Sequence, residues 1–162
     1  MKFLADGMLG NITRWLRLLG YDVEYEKVQN DNELLIRSKK EKRILLTSDA
    51  ELFRLAKRRG LTTALVKKTS PDEALSKLSE KFNIHLVFDE MRSRCPTCGF
   101  PLKNIHKNSI KEKVPENTYQ RYNEFWICSS LSCSKVYWRG NHWRKISQTL
   151  NKARKEKLNV EK

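Results

Sequence analysis

Four cysteines in the second half of the chain form the pattern with the clearest chemistry. Cys95 and Cys98 are separated by two residues and followed by Gly99, and Cys128 and Cys133 are separated by four residues. Thiolates at these spacings can bind one metal ion, and the glycine lets backbone amides approach the sulfur atoms. Because four sulfur ligands complete a tetrahedron and leave no open position, the pattern predicts one zinc ion with a structural role.

Two other interpretations of the cysteines exist. The four thiols could be free, or Cys95 and Cys98 could form a redox-active pair. A redox pair does not account for Cys128 and Cys133, and a module of about fifty residues has too small a core to fold without a metal. We therefore expect a zinc ribbon in the second half of the chain.

Three carboxylates in the first half occupy positions where a metal ion could bind. Asp6 directly follows the apolar run Lys2–Ala5, Asp49 follows the run 43–47, and Asp31 opens a helix after a further strand signal. In a parallel α/β sheet, ligands bind where the carboxyl ends of the strands meet. Three carboxylates at that edge would repel one another without a cation between them, and Mg²⁺ or Mn²⁺ prefers oxygen ligands.

An ion at this edge could activate a water molecule and stabilise charge on a scissile phosphate. Glu33 lies in the helix that Asp31 opens and could supply a further oxygen, as could Glu51 or Asp72. The alternative is local, because an aspartate at the start of a helix can serve as its N-cap. That alternative applies to Asp31 and to Asp49.

Strand and helix signals alternate along the first ninety residues. The predicted strands are 2–5, 21–25, 43–47 and 62–66, and the predicted helices begin near Asn11, Asp31, Ala50 and Ser70, with Asn11 and Ser70 as N-caps. Apolar residues in these helices recur at three- and four-residue spacing, which indicates one buried face. The alternation predicts parallel βαβ units and an α/β fold whose sheet carries helices on both sides. Residues 84–88 could add a last strand or form a linker.

The net charge of +14 is unevenly distributed along the chain. Residues 1–90 contain 17 Lys and Arg and 14 Asp and Glu, whereas residues 91–162 contain 16 and 5. A basic half beside a near-neutral half favours a polyanionic partner, with nucleic acid as the first candidate, over a merely solubilising surface. No apolar run reaches membrane-spanning length, and an acid at position 6 is incompatible with a signal peptide. We therefore expect a cytoplasmic protein without membrane association.

These observations divide the chain into an α/β domain at 1–89, a zinc ribbon at 90–147, and a basic tail or frayed helix at 148–162. In the ribbon, basic residues alternate with aromatic rings. This suits single-stranded nucleic acid, because cations bind phosphate and rings stack on bases. The candidate contacts, in the ribbon and on the first helix, are Arg14, Arg17, Trp138, Arg139, His142, Trp143 and Arg144. Trp126 and Tyr137 are expected instead to fill the small core of the ribbon.

Several segments resemble one known family. They are FLADGMLG at 3–10, RWLRLLGYD at 14–22, ILLTSD at 44–49, RCPTC at 94–98 and YWRGNHW at 137–143. Together with Cys128 and Cys133, they are similar to the PIN-like RNase domain and its zinc ribbon, first described at the C-terminus of the Mut-seven exonuclease.

The resemblance implies a PIN-like three-layer α/β/α fold and a metal-dependent ribonuclease, expected to be an endonuclease. It implies a Mg²⁺ or Mn²⁺ site of Asp6, Asp31 and Asp49, and RNA, which could be ribosomal, as the partner. One alternative is a non-catalytic RNA-binding or ribosome-associated zinc-ribbon protein. Another is a receiver-like or phosphatase-like domain with Asp49 as phosphoacceptor and Lys67 as the required lysine, which leaves the zinc ribbon unexplained.

Overall fold

A computed structural model describes residues 1–25 and 30–160, with side chains up to residue 157. Its first half contains the strands Lys2–Ala5 (β1), Asp22–Tyr25 (β2), Ile44–Thr47 (β3) and Thr63–Leu65 (β4). All pairings are parallel, and the strand order is β2-β1-β3-β4. Leu4 in β1 lies opposite Glu24 on one side and Leu45 on the other. The predicted parallel sheet of about four strands is confirmed.

One helix follows each strand of this sheet. The helices are Gly10–Leu18 (α1), Asp31–Glu41 (α2), Ala50–Arg58 (α3) and Pro71–Phe82 (α4). The Ser70 side chain accepts a hydrogen bond from the Glu73 amide, and Pro71 occupies the first turn, so the predicted start of α4 is confirmed.

Helix α2 begins at Asp31 as predicted, whereas α1 begins at Gly10, one residue before Asn11. The N-cap of α2 is Asn30 rather than Asp31, because the Asn30 side chain accepts a hydrogen bond from the amide three residues later. The predicted cap at Asn11 is wrong, since α1 already begins at the preceding glycine. There the chain turns directly from strand to helix, and the Leu9 amide donates to the Asp6 carbonyl.

Helices cover both faces of the sheet because strand residues alternate in direction. Phe3 and Ala5 belong to one buried cluster with Leu16 of α1 and Leu75 of α4. Leu4, between them in the strand, belongs to a second cluster with residues of α2 and α3. Burying a large apolar side chain contributes about 1.5–3 kcal/mol, so these two clusters supply much of the stability of the fold. The predicted arrangement of helices on both sides of the sheet is confirmed.

The second half contains a separate antiparallel sheet. Its strands are Leu102–Ile105 (β5), Phe125–Cys128 (β6) and Val136–Tyr137 (β7), in the order β5-β6-β7. A 3-10 helix at Lys107–Lys113 and the helix Glu116–Arg121 (α5) lie between β5 and β6. Residues 84–88 form no strand and connect the two halves, as the linker alternative predicted.

The chain returns to the first sheet through a long helix, His142–Val160 (α6). Leu150 is 4% exposed and Ala153 is 0% exposed, and both belong to the buried cluster that contains Leu75 of α4. This packing corrects the prediction of a frayed tail beyond residue 148, because apolar residues at helical spacing interrupt the lysines. The predicted boundary after residue 147 falls within α6. Among the described helices, none combines the length and apolar character needed to cross a membrane.

Candidate functional site

Each of the three predicted acids follows one of three adjacent strands of the parallel sheet in the chain. Asp31 follows β2 in the chain, Asp6 follows β1 and Asp49 follows β3, and these strands are neighbours in that order. From β1 the chain passes to β2 on one side, and from β2 it crosses over to β3 on the other side of β1. The crevice at such a switch point is where open α/β sheets bind ligands.

Asp6 is buried, with 7% exposure, and neighbouring groups hold its carboxylate in one orientation. Asp6 Oδ2 accepts hydrogen bonds from Thr47 Oγ1 at 2.5 Å and from the Ser48 amide at 2.8 Å. Asp6 Oδ1 accepts one from the Met8 amide at 2.9 Å. The Asp49 amide donates to the same Thr47 hydroxyl oxygen at 2.9 Å. The Thr47 side chain thus links the Asp6 carboxylate after β1 to the Asp49 backbone amide after β3.

Asp49 is exposed and caps helix α3. Its Oδ1 accepts hydrogen bonds from the amides of Glu51 at 2.6 Å and Leu52 at 3.0 Å, as the local interpretation of this aspartate predicted. Its Oδ2 accepts no hydrogen bond from the described part of the chain. The capping role therefore leaves one carboxylate oxygen for a further ligand.

Asp31 and Glu33 are exposed in the first turn of α2. Within residues 1–25 and 30–160, the acids do not form a group of three whose oxygens all lie within 4.8 Å of one another. Their donor set suits a hard divalent cation, because it consists only of oxygens. The structure links Asp6 to Asp49 through Thr47 and leaves Asp31 as a separate side chain on the neighbouring helix.

The four cysteines come together as their spacing predicted. The Sγ atoms of Cys95, Cys98, Cys128 and Cys133 all lie within 4.8 Å of one another. Cys95 and Cys133 are 3.8 Å apart at sulfur, and Cys98 and Cys128 are 3.3 Å apart. Tetrahedral zinc with bonds of about 2.3 Å places its sulfur ligands about 3.8 Å apart. The cluster therefore fits one structural zinc ion.

Groups around the cluster favour the thiolate form of one cysteine. Burial by itself would raise the pKa of Cys95, but hydrogen bonds from the Tyr137 hydroxyl and from the amides of Thr97 and Cys98 lower that pKa to about 6. Burial and the nearby sulfurs raise the pKa of Cys128. Since zinc ligands must be thiolates, a cation is needed to bring all four sulfurs into that form.

Arg17 joins the parallel sheet to the loop that carries the first cysteine pair. Its side chain is 5% exposed, and its Nε and Nη2 donate to the Val23 carbonyl at 3.0 and 2.8 Å. Its Nη1 donates to the carbonyls of Thr97 at 2.9 Å and Pro96 at 3.4 Å. This corrects the prediction that Arg17 contacts RNA, because the residue is buried and each of its three guanidinium nitrogens donates to a backbone carbonyl.

A groove of about 670 Å³ lies between α1, the ribbon, α5 and the start of α6. Five of the predicted nucleic-acid contacts line this groove, namely Arg14, Trp138, Arg139, His142 and Trp143. Arg144 is exposed on α6 and lies outside the groove lining. Trp126 is 7% exposed, as expected for a core residue of the ribbon, and its ring also forms part of the groove wall.

Sequence reasoning missed several residues that line the groove. Asn11 and Trp15 lie on the same face of α1 as Arg14, and Arg121 and Tyr122 come from the end of α5. The helical spacing of the α1 residues could have indicated a shared face with Arg14. No pattern in the chain signals that α5 lies opposite α1, because that proximity arises only when the two halves pack together.

The structure defines an α/β domain followed by a three-stranded ribbon that carries a cluster of four cysteines. A family model described as the Mut7-C RNAse domain matches residues 1–150. The chain therefore belongs to the Mut7-C RNAse domain family, which confirms the resemblance seen in the sequence and supports ribonuclease activity with RNA as the substrate. No curated protein and no solved structure matched the chain.

Proposed function

We propose that this protein is a divalent-metal-dependent ribonuclease that cleaves RNA endonucleolytically at the edge formed by Asp6, Asp31 and Asp49. The observation that carries the proposal is the link through Thr47 between the Asp6 carboxylate and the Asp49 backbone amide at the switch point of the sheet. Carboxylates from adjacent strand ends supply the hard oxygen ligands that Mg²⁺ or Mn²⁺ prefers. Membership in the Mut7-C RNAse domain family supports the class of reaction.

Each acid has a task that follows from its surroundings. Three hydrogen bonds hold the Asp6 carboxylate, so Oδ1 can present its remaining lone pair without reorganising. Asp49 would present Oδ2, the oxygen that its capping role leaves free. Asp31 and Glu33 would complete the oxygen ligands from the first turn of α2. A cation bound there would activate a water molecule and stabilise charge on the phosphate.

The groove would hold the RNA strand next to this edge. Helix α1 begins shortly after Asp6, and Asn11, Arg14 and Trp15 on this helix line the groove. The helix therefore leads from the acidic edge toward the ribbon. Basic and aromatic side chains along that path suit a nucleic-acid strand.

Asp49→Asn gives the sharpest test of the acidic site, because asparagine caps a helix about as well as aspartate but carries no charge. We expect wild-type protein with Mn²⁺ to cleave unstructured RNA, and Asp49→Asn to lose at least about a hundredfold in rate while its melting temperature stays unchanged. Asp6→Asn should lose activity too, but its buried hydrogen bonds require a parallel stability measurement. Asp22→Asn, at the opposite end of β2, is the control and should cleave like wild type. Cleavage by Asp49→Asn at the wild-type rate would contradict the proposal.

A second candidate function is RNA binding without cleavage. It is favoured by one observation, that both oxygens of Asp6 already accept hydrogen bonds from the chain. Calorimetric titration of the zinc-loaded protein with Mn²⁺ separates the two candidates. Mn²⁺ binding that Asp49→Asn abolishes supports the ribonuclease, whereas no binding and no cleavage supports the second candidate. Ribosomal RNA as the target stays a prediction under both.

A further inference from the structure

The groove has aromatic walls although the protein carries a net charge of +14. Tyr122, Trp138 and Trp143 line it with half-buried rings, and Trp126, which is only 7% exposed, lies behind them in the wall. Phe88 meets the Trp143 ring edge to face, with ring centroids 4.4 Å apart, which fixes the orientation of that ring. Flat rings in an open groove are surfaces on which unpaired bases stack.

Three arginines lie among these rings. Arg14 and Arg121 are exposed, and neither forms an ion pair with any residue in the described ranges, so both are available to phosphates. The Arg139 guanidinium lies 5.8 Å from the ring centroid of Trp126 and 5.1 Å from that of Trp143. The groove therefore holds aromatic rings and arginine side chains next to one another. The rings offer surfaces on which bases stack, and the arginines offer cations for the phosphates between those bases.

Arg139 differs from the other two arginines because an acid is bound to it. Its Nη2 lies 2.5 Å from Glu90 Oε1, and both side chains are 40% exposed. Glu90 also lines the groove. Exposed ion pairs are weak in water, and a phosphate is an equally good or better partner for a guanidinium. In the free protein, Glu90 thus occupies the place on Arg139 that a phosphate would take.

A buried polar group in the same groove has no partner. Ser93 is 2% exposed and lines the groove, and its hydroxyl makes no hydrogen bond within the part of the chain that the structure describes. Buried hydroxyls in folded proteins are nearly always hydrogen-bonded. The hydroxyl oxygen is itself shielded from solvent, so a ligand in the groove would reach it only after the Ser93 side chain changes rotamer.

We propose that the groove binds a segment of single-stranded RNA, with its bases against the tryptophan walls, and that Glu90 competes with the RNA backbone for Arg139. Duplex RNA buries the faces of its bases, so it cannot use these walls. A polyanion without rings would use the arginines alone and leave the aromatic walls without a role. That the nucleic acid is RNA rests on the proposed function, but the binding itself requires no cleavage.

The test measures affinity by fluorescence anisotropy, with zinc-loaded protein and no added Mg²⁺ or Mn²⁺. The probes are a labelled oligouridine and a duplex RNA of the same length. We expect Glu90→Gln to bind oligouridine about two- to fivefold more tightly than wild type, the range set by an exposed ion pair. The matched control is Glu73→Gln, because Glu73 forms a similarly exposed pair with Lys77 at 2.5 Å on α4, outside the groove. It removes the same charge and should change affinity by less than about 1.5-fold.

Competition for one arginine also predicts that the two substitutions interact. Arg139→Gln should weaken oligouridine binding several-fold. In the Arg139→Gln background, Glu90→Gln should then have no larger effect than Glu73→Gln. Because all three side chains are exposed, the variants should fold, and circular dichroism with zinc analysis checks this.

Two results would overturn the inference: equal affinity for duplex and oligouridine, or equal gains from Glu90→Gln and Glu73→Gln. Its failure is distinguishable from failure of the proposed function. Oligouridine binding that depends on Glu90, in a protein that cleaves no RNA with Mn²⁺, would refute only the ribonuclease. RNA cleavage combined with binding that is indifferent to Arg139 and Glu90 would refute only the role of the groove.

Discussion

Replacing Arg17 with methionine tests whether one buried side chain stabilises the contact between the parallel sheet and the cysteine loop. Methionine keeps part of the apolar stem but removes every donor. The carbonyls of Val23 and Thr97 would each lose a charged hydrogen bond, at a cost of about 1.5–3 kcal/mol apiece. We therefore expect the free energy of unfolding to fall by about 3–6 kcal/mol, a large part of the roughly 5–15 kcal/mol typical of a domain.

The same substitution should weaken zinc binding. Burial lowers the pKa of Arg17, whereas the charges of Glu24, Cys98 and Cys95 raise it, and arginine remains a cation in proteins. Its guanidinium thus places a positive charge near the thiolates and holds the Thr97 carbonyl between the first two cysteines. Removing an outer contact of this kind typically lowers metal affinity by about tenfold or more.

Urea unfolding followed by tryptophan fluorescence measures the stability, and transfer of zinc to a chromogenic chelator measures the affinity. The control is Arg14→Met, because Arg14 is exposed one turn earlier on the same helix. That variant should stay within about 0.5 kcal/mol of wild type. Equal stability of the two variants would refute the structural role of Arg17. A loss of stability with unchanged zinc affinity would refute only its coupling to the cysteine loop.

Two further predictions concern stability. Leu150→Ala should destabilise the protein by about 2–5 kcal/mol in urea unfolding, because Leu150 is 4% exposed in the core beneath α6. The control Asn151→Ala, on the exposed face of the same helix, should be nearly neutral. Equal losses of stability in the two variants would show that α6 does not contribute to the core. Burial alone would raise the pKa of Asp22, but the hydrogen bond from Arg43 lowers it below its ordinary value of 3.8. The Asp22–Arg43 ion pair therefore stabilises the fold above pH 3.8, and this stabilisation is lost as the pH falls through the lowered pKa of Asp22. The melting temperature of Asp22→Asn should accordingly fall less than that of wild type between about pH 5 and pH 2. Parallel acid curves for the two proteins would contradict this role.

The cysteine cluster was predictable because its ligands come in two local pairs. Two cysteines separated by two or four residues are close enough along the chain to bind the same ion, so their spacing alone indicates a metal site. The parallel sheet was predictable for a similar reason, since alternating strands and helices leave few alternatives to βαβ units. Both features rest on short-range geometry.

The acidic edge was predictable only in part. The sequence places Asp6 and Asp49 directly after strands, but it does not state which strands are neighbours. The Thr47 link exists because β3 pairs with β1, and the packing of helices on both faces decides that order. The sequence did not decide whether Asp49 caps helix α3 or binds a metal ion. The observed hydrogen bonds to Oδ1 establish the cap, and Oδ2 stays available as a metal ligand.

Three features depended entirely on tertiary structure. Arg14 and Arg17 look alike in the sequence, one turn apart on the same helix, yet Arg14 is exposed and Arg17 is buried. Helical periodicity predicts which face of a helix is covered, but it does not predict what covers it. The cysteine loop over Arg17, the contact of α6 with α4, and the pairing of Glu90 with Arg139 all join segments that are distant in the chain. Local sequence fixes only the conformations of short segments, so contacts of this kind are decided when the segments compete to bury the same surface.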